Sequence, residues 1–163
     1  MNRKLRRKNA KALAKKGFHI FRIKLNEKVP VAKGWQKEAK PDATHWVSGL
    51  NFNIGLATGM GVIVIDIDMK RGVDGEANWR AMCKKFGIKE SPFQVKTPSG
   101  GRHLYYLAPK GVTLGNSTSK IANGVDVRGL GGYVVAPGSE IDGIMYEVVN
   151  KGTDPIEMPQ KLI

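Results

Sequence analysis

The strongest constraint on the fold is a short apolar run that ends in two acids. Residues 61–68 read GVIVIDID, and Val62 to Ile65 have no polar face, which is typical of a central strand covered on both sides. Side chains two residues apart on a strand point to the same face, so Asp66 and Asp68 are expected to lie together. Such carboxylates repel each other, and a hard cation such as Mg²⁺ would neutralise them. The alternative is that the strand ends there and both acids cap loops in solvent.

A third acid, Asp126, lies in the segment NGVDVRG at residues 123–129. An aspartate between two valines is not expected to face a core unpaired. One interpretation is an ion pair with Arg128, which lies on the same strand face. The other is that three separated carboxylates converge and hold two divalent ions, the arrangement used for in-line phosphoryl transfer.

A glycine-rich turn follows a strand at residues 97–103, which read TPSGGRH. The missing Cβ atoms of Gly100-Gly101 would let a phosphate approach the backbone, and Ser99, Arg102 and His103 offer hydrogen-bond donors beside it. The alternative is a plain hairpin turn with an incidental histidine. No Gly-Lys-Ser/Thr follows, so the segment is not a Walker motif.

The charge of the chain is concentrated at its N-terminus. The sequence has 27 Lys and Arg against 14 Asp and Glu, a formal charge of +13, and residues 1–16 hold eight of the cations and no acid. On a helix the basic side chains would lie opposite Leu5, Ala12 and Leu13. We expect this segment to contact nucleic acid; a solvated face that aids solubility and a mitochondrial targeting peptide are alternatives. The expected contacts are Arg3, Lys4, Arg7, Lys8, Lys11 and Lys15.

The remaining pattern predicts one domain with mixed helices and strands. Cys83 is the sole cysteine, which excludes an internal disulfide and a multi-thiolate zinc site. No apolar run approaches the ~18 residues of a membrane span, and no secretory signal is recognisable, so we expect a soluble, cytoplasmic protein. Predicted helices cover 3–16, 42–48 and 75–86; predicted strands cover 19–23, 54–57, 62–68, 93–97, 102–108, 124–128 and 133–136. Residues 1–150 would form the domain, and 151–163 an irregular tail or linker start.

Taken in order, these motifs resemble the primase-polymerase (prim-pol) domain of the archaeo-eukaryotic primase superfamily, found at the N-terminus of plasmid and phage replication proteins. The resemblance covers about residues 10–147, and its specificity comes from the order of many short motifs. They are FRI at 21–23, KVP at 28–30, Trp35, NIG at 53–55, TG at 58–59, GVIVIDID at 61–68, TPSGGRH at 97–103, NGVDVRG at 123–129 and GGYVVAPGS at 131–139.

The resemblance implies an α/β (α+β) fold in which an N-terminal α/β module packs on an RRM-like module, with a mixed, mostly antiparallel sheet and the active site between the modules. It implies that Asp66, Asp68 and Asp126 bind two divalent ions, Mg²⁺ or Mn²⁺. His103 and Ser99 would contact the triphosphate of the incoming nucleotide. The further expected nucleotide contacts are Gly100, Gly101, Arg102, Arg128 and Lys33.

The implied activity is that of a template-dependent nucleotidyltransferase, a DNA primase and DNA polymerase, in plasmid or phage-type replication in a bacterial or archaeal cell. Its implied partners are single-stranded DNA template and primer, NTP or dNTP, and a replicative helicase in trans or as a further domain. Many relatives have Asp-x-Glu where this chain has Asp66 and Asp68. Relatives often continue beyond the position of Ile163, so we expect either a compact stand-alone enzyme or an excised domain.

The sequence leaves two other classes of function to compare. A catalytically silent, RRM-like module that binds single strands is the main alternative, but it has no need for three acids. A replication initiator that nicks DNA requires a nucleophilic tyrosine beside a metal-binding histidine pair, and His103 stands alone.

Overall fold

A computed structural model describes residues 3–48, 51–70 and 72–163. Within these ranges the chain forms four α-helices, one 3₁₀ turn and fourteen strands. The helices are α1 (Arg3–Lys15), α2 (Trp35–Glu38), α3 (Thr44–Val47) and α4 (Gly75–Phe86), and the 3₁₀ turn covers Gln160–Leu162. Among the described residues, no helix has the length and apolar character of a membrane span.

The strands are mostly short. They are β1 (Ile20–Ile23), β2 (Asn53–Ala57), β3 (Val62–Ile67), β4 (Met69–Lys70), β5 (Val73–Asp74), β6 (Gln94–Lys96), β7 (Arg102–Leu107), β8 (Ser117–Ala122), β9 (Val125–Arg128), β10 (Tyr133–Val135), β11 (Glu140–Ile141), β12 (Ile144–Met145), β13 (Glu147–Val148) and β14 (Ile156–Glu157).

The largest sheet has β3 near its centre. Its strand order is β13-β6-β7-β3-β9-β8, and β14 pairs with β7. All of these pairings are antiparallel except the parallel one between β14 and β7. The four residues from Val62 to Ile65 are at most 1 % exposed, so the prediction of a central strand covered on both faces is confirmed. The fold is therefore α+β with mainly antiparallel sheets.

Two apolar layers cover the faces of this sheet. On one face, Val62 and Val64 pack with Tyr105, with residues of α1 and with the separate sheet β1-β2-β10. On the other face, Ile63, Ile65 and Ile67 pack around the fully buried Trp79 of α4. The alternation of side chains along β3 thus decides which layer each residue joins.

Helix α4 has the bounds that its sequence pattern predicts. The Asp74 side chain accepts a hydrogen bond from the Ala77 backbone N–H at 2.9 Å and caps the first turn, where a carboxylate also faces the helix dipole favourably. Gly87, at φ +62°, ends the helix in the left-handed conformation that glycine adopts at low cost.

Two sequence predictions about the ends of the chain need correction. The tail is not simply irregular, because Ile156–Glu157 pairs with β7 and both Met158 and Leu162 are buried; its two prolines and short elements hide this in the sequence. Helix α1 packs through Arg6, Ala10 and Leu13, whereas Ala12 is exposed. Arg6 belongs to the buried face because its Nε donates to the Gly138 carbonyl at 3.2 Å and its guanidinium also bonds to Asn51.

Candidate active site

One row of side chains crosses three neighbouring strands of the large sheet. In the strand register, Asp66 on β3 stands opposite His103 on β7 and opposite Asp126 on β9. All three side chains lie on the face that carries Val64 and Tyr105, which is the side facing the β1-β2-β10 sheet. Sheet pairing therefore brings together residues that are 23 to 60 positions apart in the sequence.

Asp68 joins this row from the end of β3. Its backbone N–H donates to the Gly124 carbonyl at 2.8 Å, and its own carbonyl accepts from Gly75 N–H at 3.0 Å. A Cβ at Gly75 would lie 2.4 Å from both of these carbonyl oxygens, so only glycine fits here. As a result, carboxylate oxygens of Asp66, Asp68 and Asp126 all lie within 4.8 Å of one another.

Nearby positive charges stabilise the ionised form of Asp66 more strongly than that of Asp68. Burial disfavours ionisation of Asp66, but the His103 ring and Arg128 outweigh it and lower the pKa of Asp66 to about 2. Asp68 has the opposite shift, because burial and the negative charge of Asp66 raise its pKa, and Lys70 at 3.5 Å offsets this only in part. The basic side chains around the three acids thus stabilise the cluster but neutralise its negative charge only in part.

Arg128 links two of the acids. One of its terminal amino groups lies 3.2 Å from a carboxylate oxygen of both Asp66 and Asp126. The second oxygen of Asp126 accepts a hydrogen bond from the Ser119 backbone N–H at 3.0 Å. The ion pair that the sequence allows between Asp126 and Arg128 is therefore present, and so is the three-carboxylate cluster. The two interpretations of Asp126 are compatible.

Asp66 and Asp68 line an open pocket with a volume of about 410 Å³, and the buried Asp126 lies beside them. Cationic and hydroxyl-bearing side chains surround them, so the pocket combines an acidic floor with a polar, partly basic wall. The residues that line it include Lys28, Asp66, Asp68, Lys70, Ser99, His103, Arg128, Tyr133 and Tyr146.

The Thr97–His103 segment forms one wall of this pocket. Gly100 has φ +89°, and its N–H donates to the Thr97 carbonyl at 3.1 Å, which closes a tight turn before β7. A Cβ on Gly101 would lie 2.1 Å from the Ile67 carbonyl oxygen, so the turn presses against the end of β3. The Ser99 hydroxyl lies 3.3 Å from that of Thr97, and both residues line the pocket.

Residues 10–161 match the Prim-Pol family, described as bifunctional DNA primase/polymerase, N-terminal. The chain belongs to this family. Its function is accordingly of the DNA primase and polymerase type, with DNA and nucleotides as substrates, and Prim-Pol enzymes generally depend on divalent metals. The acidic cluster is a group of ligands suited to such metals. A search of curated proteins found no match to the chain.

The structure does not bring every predicted nucleotide contact into the Prim-Pol pocket. Arg102 is adjacent to His103 on β7, so its side chain points to the opposite face of the sheet. There it forms ion pairs with Glu76 and Glu90, each at 2.6 Å. The prediction that Arg102 contacts the nucleotide is therefore corrected. Gly100 and Gly101 shape the wall but do not line the pocket themselves.

Lys33, another predicted nucleotide contact, also lies outside the pocket lining. It is exposed in the loop before α2 and does not line the pocket, whereas Lys28 of the preceding turn does. Sequence reasoning also missed Tyr133 and Tyr146. Tyr133 packs edge-on against Trp35 and donates its hydroxyl to the Lys28 carbonyl at 2.9 Å. The Tyr146 ring lies 5.9 Å from the His103 ring, measured between centroids. Tyr133 belongs to the GGYVVAPGS motif, but neither that motif nor the sequence around Tyr146 shows that the two rings reach the pocket.

The basic residues of α1 lie outside this pocket. The helix turns Arg6, Ala10 and Leu13 inward, which leaves the other face to solvent. The six cations predicted to contact nucleic acid are all exposed and are Arg3, Lys4, Arg7, Lys8, Lys11 and Lys15.

Proposed function

We propose that this Prim-Pol chain is a template-dependent nucleotidyltransferase of plasmid or phage-type DNA replication, acting as one catalytic domain. Asp66, Asp68 and Asp126 are the proposed ligands of two divalent cations, Mg²⁺ or Mn²⁺. The observation that carries the proposal is that these three carboxylates, from two strands and a strand end, lie within 4.8 Å of one another, with Asp66 and Asp68 lining a pocket. The alternative of a silent single-strand-binding module gives no reason for this arrangement.

The residues present fit such a metal centre. Carboxylate oxygens are the donors that Mg²⁺ and Mn²⁺ prefer. The raised pKa of Asp68, caused by burial and by the charge of Asp66, indicates that another positive charge would be favourable there. When bound, the cations would polarise the α-phosphate and favour the deprotonated 3′-hydroxyl. The protein's own part is to keep Asp66 ionised and to fix the three carboxylates on paired strands.

The wall beside the acids supplies the proposed nucleotide contacts. His103 and Ser99 face the pocket from β7 and the turn before it, and Arg128 faces it from β9. Lys28 and Lys70 add positive charge at its rim. Donors of this kind can hold the triphosphate while charge develops on the leaving pyrophosphate.

The exposed face of α1 is the proposed contact for single-stranded DNA. It presents only cations and small or amide side chains, and none of the three acids belongs to it. Contacts of this kind bind phosphates without reading sequence. The helix would thus raise affinity for template without taking part in the chemical step.

Primer extension tests the proposal directly. The purified chain is incubated with a primed single-stranded template, NTP or dNTP, and Mg²⁺ or Mn²⁺, with chelator as the control. Products longer than the primer that require both the template and the metal are expected. Binding of the template without any incorporation under all of these conditions would favour the silent single-strand-binding module.

A further inference from the structure

We propose that Arg102 is a positioning residue. Its ion pairs, on the face of the sheet opposite to the pocket, hold the Thr97–His103 segment in place for the nucleotide. The inference rests on the proposed function for its catalytic consequence. Its structural part, that Arg102 holds the turn, stands on geometry alone.

All five N–H donors of the Arg102 guanidinium are used. Nε and Nη2 donate to the two oxygens of Glu76 at 2.8 and 2.6 Å, and Nη1 and Nη2 donate to those of Glu90 at 2.9 and 2.6 Å. The remaining donor of Nη1 reaches Gln94 Oε1 at 2.8 Å. Such paired, charge-assisted bonds fix a guanidinium in both position and orientation.

The partners of Arg102 belong to three different elements. Glu76 lies in the first turn of α4, Glu90 follows α4, and Gln94 lies on β6. Glu90 is itself held by the indole N–H of the fully buried Trp79, at 2.8 Å. The side chain of Arg102 is therefore linked through Glu90 to the buried Trp79 of the second apolar layer.

This anchor acts at the point where the pocket wall begins. Arg102 is the first residue of β7, immediately before His103 and after the Gly100-Gly101 turn. On β3 its register partner is Ile67, whose carbonyl the turn contacts through Gly101. The turn is thus held between the end of β3 and the Arg102 network, and Ser99 and His103 extend from it into the pocket.

Kinetics separate this role from a purely structural one. Arg102→Met removes every donor, and Arg102→Lys keeps the charge but loses the paired geometry. We expect Arg102→Met to raise KM for the nucleotide about tenfold or more with a smaller change in kcat, and Arg102→Lys to lie between it and the wild type. The matched control is Arg22→Met, which breaks another ion pair, with Glu38, and Arg22 is not among the residues that line the pocket. Equal nucleotide KM values in all four proteins would overturn the inference.

Amide hydrogen exchange tests the holding of the turn without any assay of activity. In Arg102→Met we expect exchange in residues 97–103 to be at least about tenfold faster than in the wild type, with β1 (Ile20–Ile23) as internal reference. Faster exchange in both segments alike would mean a general loss of stability and would overturn the inference, as would unchanged exchange in the turn. If the wild type fails to extend primers, the proposed function is wrong, but the hydrogen-exchange result still decides whether Arg102 holds the turn.

Discussion

Asp66 and His103 face each other across paired strands, with His103 Nε2 3.4 Å from Asp66 Oδ1. Arg128 approaches the other Asp66 oxygen from β9, at 3.2 Å. The carboxylate therefore has a basic neighbour on each side, and together they overcome the effect of burial and lower its pKa to about 2. His103 and Arg128 therefore favour the ionised form of Asp66.

The first prediction concerns His103 as a nucleotide contact. His103→Ala is expected to raise KM for the nucleotide roughly tenfold, with a smaller fall in kcat, because the residue belongs to the pocket wall rather than to the carboxylate cluster. His19→Ala is the matched control, since His19 lies outside the pocket beside the Ala39 carbonyl. Steady-state extension rates at limiting nucleotide measure the effect. If His103→Ala matches the wild type there, His103 has only a structural role.

A second prediction follows from the close approach of Gly101 to the end of β3. Gly101→Ala would place a Cβ 2.1 Å from the Ile67 carbonyl oxygen, so the turn or the strand must move. We expect a loss of about 1–3 kcal/mol in the free energy of unfolding. Gly115→Ala is the control, because its Cβ would meet no atom within 4 Å. Urea unfolding measures both, and equal stabilities would show that the turn can shift freely.

The third prediction is a pH dependence of stability through Glu38. Burial disfavours its ionisation, but hydrogen bonds and charge from Arg22 outweigh burial and hold its pKa below the ordinary 4.5. A lowered pKa in the folded state means that the stabilisation is present above pH 4.5 and is lost as the pH falls toward the folded-state value. Glu38→Gln should therefore cost about 1 kcal/mol at pH 7 and progressively less below pH 4.5.

Urea unfolding at a series of pH values checks this prediction. The exposed Glu27 offers a matched control as Glu27→Gln. A difference between Glu38→Gln and the wild type that stays constant from pH 7 to pH 3 would show that the ion pair with Arg22 does not stabilise the fold.

The fourth prediction concerns the exposed cations of α1. Replacing five of them by glutamine should reduce the magnitude of the log–log salt slope for single-stranded DNA by ~3–4, at roughly 0.7 per phosphate contact. Substitution is preferable to deletion of residues 1–16, because Ala10 and Leu13 belong to the core. The substituted residues are Lys4, Arg7, Lys8, Lys11 and Lys15.

Fluorescence anisotropy across a salt series measures that slope. Replacing the exposed Lys84 and Lys89, on and after α4, serves as the control and should leave the slope unchanged. A slope that does not respond to the α1 substitutions would make this face of the helix a solubility feature only.

The periodicity of the sequence predicts strand β3 and the acids at its end, but it does not show which strands bring the three acids together. The apolar run from Val62 fixed β3, and the spacing of Asp66 and Asp68 put both acids at its end. The position of Asp126 opposite Asp66 depends on which strands pair and in what register, and that is decided by the packing of distant segments. The sequence singled out the three acids and offered their convergence as one interpretation, but only the strand pairing shows that they lie within 4.8 Å of one another.

Arg102 shows an error that the sequence itself could have prevented. Neighbouring residues on a strand point to opposite faces, so Arg102 and His103 could not both face one ligand from β7. Lys28, Tyr133 and Tyr146 are a different case. They line the pocket from segments whose approach is set by tertiary packing. The KVP and GGYVVAPGS motifs contain Lys28 and Tyr133 but do not show that these side chains face the site. The Ile156–Glu157 strand was missed because it is two residues long and lies between prolines.

Three carboxylates form the proposed metal centre, and metal-dependent nucleotide incorporation by Asp126→Asn tests this arrangement. Asparagine keeps an oxygen that can accept the Ser119 N–H hydrogen bond but removes the negative charge. The control is Asp154→Asn, at an exposed aspartate paired with Lys16. We predict a fall of ~10²-fold or more in Asp126→Asn, with a folded circular dichroism spectrum and no such fall in Asp154→Asn. Incorporation by Asp126→Asn at a rate near that of the wild type would contradict the three-carboxylate site.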